Sequence, residues 1–111
     1  MAKFLVLYNA TASATDQMSD ATPEEATAGM DAWMTWASDA GDRVVDLGMP
    51  VETRSRITSE GATPTSGQAS GYSILESDSL AEVQALLAKH PHLGMAGSSI
   101  DVLELLQLPG M

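Results

Sequence analysis

Cysteine is absent from the 111 residues, which excludes a disulfide framework and a thiolate metal site and ties the chain to no oxidising compartment. Basic residues are scarce: Lys3, Arg43, Arg54, Arg56 and Lys89 stand against fifteen acids, for a net charge of −10. No basic cluster is larger than Arg54 with Arg56. Affinity for a polyanion comes largely from lysines and arginines that neutralise phosphates, so nucleic acid is not an expected partner, and a membrane surface is disfavoured on the same ground. Acidity of this kind is a solubility device. Long apolar runs are missing as well. Residues 1–8 hold one lysine and a short apolar stretch, without the length of a signal h-region or the ~20 apolar residues of a membrane span. The expected location is cytoplasmic. No G-x-S-x-G elbow, Walker loop, dinucleotide fingerprint or metal-site run occurs, so no cofactor and no metal are expected.

What is there fits one domain over residues 1–111. Residues 3–8, Lys-Phe-Leu-Val-Leu-Tyr, predict a strand, and residues 9–20, rich in Thr, Ser, Ala and Asp without periodicity, predict a loop. Thr22-Pro23-Glu24-Glu25 opens a helix: Thr22 caps it, Pro23 suits its first position, and Glu25 closes a capping box. At ~100° per residue, Ala26, Met30, Trp33, Met34 and Ala37 share one arc, which predicts a core-facing stripe; Trp36 falls about 60° outside it. Gly41 ends the helix. Val44, Val45, Leu47 and Met49 predict a short strand stopped by Gly48 and Pro50. The polar segment 52–70 is too long to be structureless in a compact domain, so part of it, around residues 53–58, is expected to extend as an edge strand or as an inserted hairpin. Residues 71–76 predict a core strand. Ser79-Leu80-Ala81-Glu82 is a second capping box, opening a helix with Leu80, Val83, Leu86 and Leu87 on one face and stopped by Pro91. Residues 100–108 predict the last strand.

This order gives an α+β fold of ferredoxin-like β-α-β-β-α-β plan, with an antiparallel sheet and both helices on one face. The first and last strands are apolar on both sides: Phe4, Val6 and Tyr8 oppose Leu5 and Leu7, and Ile100 and Val102 oppose Leu103 and Leu105. Two helices cover one face only. The other, roughly 350 Å² in projection, is about the largest apolar patch a monomer tolerates, which predicts a homodimer formed sheet to sheet, the alternative cover being the long polar segment folded back over it.

Several stretches resemble the YCII-related family, known also for its DGPF members: the opening strand at residues 3–8, a helix carrying tryptophans before Gly41, the block Gly71-Tyr72-Ser73-Ile74-Leu75-Glu76-Ser77-Asp78-Ser79-Leu80, and the ending His90-Pro91-His92-Leu93 with Gly97-Ser98-Ser99-Ile100-Asp101-Val102. The resemblance implies a dimeric α+β barrel, two four-stranded sheets facing each other around a cleft. Functions in the family are mostly unassigned, and the superfold includes isomerases, dehydrochlorinases, monooxygenases and binding modules, so the fold alone selects no activity. Two departures matter. The D-G-P-F motif is replaced by Ala62-Thr63-Pro64-Thr65-Ser66-Gly67, and Met30 stands near the place of the first-helix histidine of some YCII-like members. A histidine–aspartate site of that type therefore does not carry over.

The candidate chemistry rests on few side chains. His90 and His92 are the only histidines. His90 falls at ~280° on the second helix wheel, between Val83 and Leu86, and so points inward; a histidine is apt as a general acid or base near neutral pH, and equally apt as a packed ring that bonds a last helix carbonyl. His92, after Pro91, is expected in an exposed turn. Arg54 and Arg56, two apart on an extended segment, would project together and could hold a carboxylate or phosphate, or serve as charges that protect an edge strand. Trp33, Trp36 and Tyr72, with Met30 and Met34, could line a cleft for an aromatic or otherwise apolar ligand; Trp33, at mid-arc, suits the core, and Trp36 a pocket rim or a dimer contact. Two functions remain open on these residues: a non-catalytic dimeric module that binds a small molecule or serves regulation, as the sigma-factor association of some YCII-like members implies, or an isomerase, lyase or hydrolase acting in the barrel cleft with His90 as acid or base. The sparse inventory of catalytic residues favours the module.

Overall fold

Strand alternation assigns Phe4, Val6 and Tyr8 to one side of the first strand, and in a computed structural model, which describes residues 1–64 and 68–110, all three are 2 % exposed or less. The strand, β1 (Ala2–Asn9), lies between β5 (Ala69–Ser77) and β6 (Ser99–Glu104), and β2 (Val44–Asp46) pairs with the far side of β5. The order β2-β5-β1-β6, antiparallel throughout, is the ferredoxin-like arrangement. Register puts Leu5 opposite Ile74 and Leu103, and Leu7 opposite Tyr72 and Asp101.

Helices α2 (Pro23–Ala40) and α3 (Leu80–Leu87) pack on the Phe4 side, where Trp36, Ala40, Leu75, Val83 and Leu87 complete the core. The capping box that starts α2 is fully formed: Thr22 Oγ1 accepts from Glu25 N at 3.1 Å, and Thr22 N donates to Glu25 Oε1 at 3.3 Å. That of α3 is half formed. Ser79 Oγ accepts from Glu82 N, but the Glu82 carboxylate turns instead to the Ser77 hydroxyl and to Arg43, each at 2.6 Å. These two bonds hold its pKa below the usual carboxylate range, Arg43 being the larger cause.

The stripe expected to face the core is rotated. Trp36 is buried, Trp33 and Ala37 are half-buried, and Met30 and Met34 are exposed. Every residue of the first half of α2, 23–32, is exposed, and nothing lies within 4 Å of where a Gly29 side chain would begin. The helix runs past its support, so its apolar arc averages a packed half with an unpacked one. Trp36 at the packed end donates from Nε1 to the Leu86 carbonyl at 2.9 Å, which joins α2 to α3. Trp36→Phe is expected to lower the unfolding free energy by about 1–3 kcal/mol, through loss of that bond and an orphaned carbonyl, read as a lower urea midpoint at unchanged slope.

The α1 and last-strand regions also differ from expectation, while the hairpin expected within 52–70 is present. Residues 14–20, expected in a loop, form the short helix α1 (Ala14–Asp20), capped by Ser13 Oγ on Asp16 N at 3.1 Å. The polar segment contains a complete hairpin, β3 (Ser55–Thr58) with β4 (Gly61–Pro64), separate from the main sheet. Thr65, Ser66 and Gly67, part of the stretch in place of D-G-P-F, lie outside the described residues. The last strand stops at Glu104, leaving Leu106 and Leu108 exposed. Among the described residues no helix is long and apolar enough to cross a membrane.

Candidate functional site

Two regions gather the chemistry-bearing side chains, on opposite faces of the sheet. Beneath the helices, Tyr8 from β1 meets Trp33 and both histidines. Helix α3 ends at Leu87, and His90 sits at the entry of a 3-10 turn (Pro91–Gly94), where its Nδ1 accepts from His92 N at 3.0 Å. That bond places the neutral ring's proton on Nε2, the one buried side-chain polar atom among the described residues that lacks a partner. The ring is 3 % exposed, with the Trp33, Trp36 and Tyr8 rings at 4.3, 4.4 and 4.7 Å between centroids. Desolvation, assisted by His92, pushes its pKa down to about 4. His92 is buried too, contrary to the exposed turn expected of it: its Nε2 lies 2.8 Å from the Asn9 carbonyl, which ties the turn to the end of β1.

The Tyr8 hydroxyl donates to Ser73 Oγ at 2.8 Å, and Ser73 donates onward to the Leu47 carbonyl at 2.6 Å. Burial pushes the Tyr8 pKa up to about 12, against the opposing pull of the Ser73 bond. Every polar atom of this chain of bonds points at protein. The cluster is an anchor between strands and turn.

The opposite face is partly open: Leu103 is exposed, and Leu5, Leu7, Tyr72 and Ile74 are half-buried. Leu5, Leu7, Tyr72, Ile74 and Leu103 are adjacent by register and lie on the side away from both helices. At one corner Asn9 Nδ2 donates to Asp101 Oδ2 at 3.0 Å and, more weakly, to Ser99 Oγ at 3.4 Å. The wall is apolar, with one polar corner, and at its other end Lys3 stands opposite Glu76.

The five residues singled out from sequence do not converge. His90 and Trp36 belong to the helix side, Tyr72 to the open face, Arg54 to the foot of the hairpin and Arg56 to β3. Arg54 lies 3.5 Å from Glu52, whose own pKa is lowered first by a hydrogen bond from Thr15. Trp36, expected outside the core-facing arc, is core at 5 % exposure, and it also lines a shallow groove of about 600 Å³ between α2 and α3 with Arg43 and Lys89. The polar corner of Asn9, Ser99 and Asp101 went unseen in the sequence. Its only local signal is a Ser-Ser-Ile-Asp alternation in which Ser99 and Asp101 fall on one side.

No family model matches the chain, and no curated protein does. Among solved structures the chain is similar to 5-chloro-2-hydroxyhydroquinone dehydrochlorinase from Burkholderia phenoliruptrix, determined in complex with 2,5-dihydroxybenzoquinone, over 91 % of each chain at 14 % identity with a TM-score of 0.50. At that identity the likeness concerns the fold, which the two share as a ferredoxin-like α+β arrangement.

Proposed function

We propose that the protein is a homodimeric, non-catalytic module of the YCII-related type, in which two open sheet faces enclose a cleft for a small, largely apolar organic molecule. The open face carries this reading: five large apolar side chains stand together on strands whose other side is already packed. A wall of aliphatic and aromatic groups supplies contact area for such a ligand, and the Asn9–Ser99–Asp101 corner supplies the few polar groups that orient it. Binding without turnover is supported by where the titratable groups lie. A general base must come within hydrogen-bond reach of the proton it takes, and His90 is enclosed by three aromatic rings while His92 is engaged with Asn9.

Sedimentation equilibrium is expected to give the mass of two chains for the wild type and of one for Leu7→Asp, which sets an unpaired charge in the face-to-face contact at a cost of about 3–5 kcal/mol. Calorimetry with 2,5-dihydroxybenzoquinone as probe is expected to show saturable binding that Tyr72→Ala weakens by about tenfold. A one-chain mass for the wild type would overturn the dimer. Chloride release from 5-chloro-2-hydroxyhydroquinone would overturn the non-catalytic reading.

A further inference from the structure

The two edges of the main sheet are finished differently. Edge strand β2 is three residues long, slips register between Val44 and Asp46, and gives way to a turn that ends in Pro50, all of which hinder the pairing of a further strand. β6 has none of these devices. Six residues long, it keeps an unbroken register with β1 and holds neither lysine nor proline, and among the described residues β1 is its only partner strand. Its outward groups follow from one bond. Leu105 N donates to Lys3 O at 2.8 Å, so the odd-numbered residues of β6 exchange hydrogen bonds with β1, and the N–H and C=O of Ile100, Val102 and Glu104 turn outward.

The side chains along that edge select a partner. Ile100 and Val102 are half-buried on the helix side, while Leu103 and, just beyond the strand, Leu105 are 43 and 50 % exposed on the other. Asp101 and Glu104 place one exposed carboxylate on each side. In the strands of the main sheet the one base is Lys3, which stands on β1 opposite Glu76 of β5. A second copy would bring to this edge the same two carboxylates and a net charge of −10, and like charges repel across a strand pair. A cationic strand meets attraction instead.

We propose that the β6 edge is a docking site for an extended cationic segment of another protein, which joins the sheet as a further antiparallel strand. Its backbone bonds to the outward groups of Ile100, Val102 and Glu104, and its side chains give the specificity. Counted from the residue that meets Glu104 to the one that meets Ile100, its pattern is basic, apolar, apolar, basic, apolar. The two bases face Glu104 and Asp101, and the apolar residues face Leu103, Val102 and Ile100. Opposite Asp101 and Leu103 the new pairs are the non-hydrogen-bonded ones, where side chains come closest, so these two positions discriminate most sharply. The edge lies in the plane of the sheet, beside the face and not on it.

The test titrates the full chain into a dye-labelled, end-capped peptide, Thr-Lys-Leu-Val-Lys-Val-Thr, with Thr-Glu-Leu-Val-Glu-Val-Thr as control, and follows anisotropy at low and high salt. The lysine peptide is expected to saturate and the control to bind at least about tenfold more weakly, the gap narrowing as salt is raised. Glu104→Lys, an exposed change at the strand end, should weaken the lysine peptide by about fivefold and strengthen the control. Hydrogen exchange locates the contact. The amides of Ile100, Val102 and Glu104 should exchange quickly in the unbound protein and slow by at least about tenfold with the lysine peptide, while those of Asp101 and Leu103, bonded to β1, stay slow throughout. Absence of saturable binding, equal affinity for the two peptides, or binding that leaves the outward amides unprotected overturns the proposal, the last marking attraction to the acidic surface at large. Protection of the same amides when the protein alone is concentrated would make the occupant a second copy, and overturns it too.

Discussion

Gly48→Ala is expected to cost more than about 4 kcal/mol, a large share of the roughly 6–17 kcal/mol that holds a chain of this size folded. Two causes act together. Gly48 has φ +81°, a conformation in which an L side chain is strained, and a β-carbon there would stand 1.7 Å from the Tyr72 carbonyl oxygen and 2.6 Å from its carbon. Neither atom can swing aside, because Tyr72 is backbone in the middle of β5. The turn cannot retreat easily either, since the Gly48 N–H donates to Asp46 Oδ1 at 2.8 Å and the Leu47 carbonyl receives the Ser73 hydroxyl. The control is Gly29→Ala: it sits in the unpacked half of α2 with nothing within 4 Å, and helix propensity there should add up to about 1 kcal/mol. Urea titrations of the two variants should move in opposite directions. A Gly48→Ala protein within about 1 kcal/mol of wild type would mean that the turn does not lie on β5 as described.

Acidification is expected to remove up to about 3 kcal/mol through His90 alone. The folded ring has a pKa of about 4, whereas an unfolded histidine titrates near ~6.5, so between these values the unfolded chain binds the proton that the folded one refuses. The contribution is therefore complete above about pH 6.5, declines as the pH falls, and is gone near about pH 4. The surrounding aromatic faces would attract an imidazolium and offset part of the desolvation, which makes about 3 kcal/mol an upper value. Acidification also shrinks the negative excess of the whole chain, and Glu82, held below the usual carboxylate range, loses its bonds to Arg43 and Ser77 only toward the acid end, with opposite effects on stability. His90→Asn separates them, because the amide oxygen can take over the acceptor role toward His92 N without titrating. The difference in unfolding free energy between wild type and variant should change by up to about 3 kcal/mol between about pH 7 and about pH 4. Parallel curves would place the His90 ring in water.

What could be read from the sequence was what neighbouring residues decide among themselves. Thr22, Pro23 and Glu25 specify the start of α2 within four positions, and the alternation of Phe4, Val6 and Tyr8 with Leu5 and Leu7 carries both faces of β1. Trp36 was misplaced because a helical wheel weighs every turn alike, whereas only the second half of α2 has a sheet beneath it. Helix α1 escaped for the opposite reason: with Ala14 its single buried residue it has no stripe, and only the spacing of Ser13 and Asp16 announced it. The burial of His92 is decided by a carbonyl 83 residues away in sequence, and no local pattern encodes such a contact. The same holds for the candidate site. Tyr72 and Trp36 each read as aromatic contacts, but the side of the sheet each occupies follows from strand order and helix placement, which put them on opposite faces.

The central position of β1 has a consequence for how the molecule is made. This strand leaves the ribosome well before the strands it pairs with: Tyr8 finds Ser73 across 65 residues and Asn9 finds Asp101 across 92. Until β5 and β6 have been synthesised, a two-sided apolar strand waits with both of its edges unpaired. Contacts this distant in sequence slow folding, and unpaired strand edges invite other chains to pair with them. Nascent chains stalled before residue 99 should therefore be the most aggregation-prone form of this protein, and the excess of acidic residues gives those waiting chains a mutual repulsion through the interval.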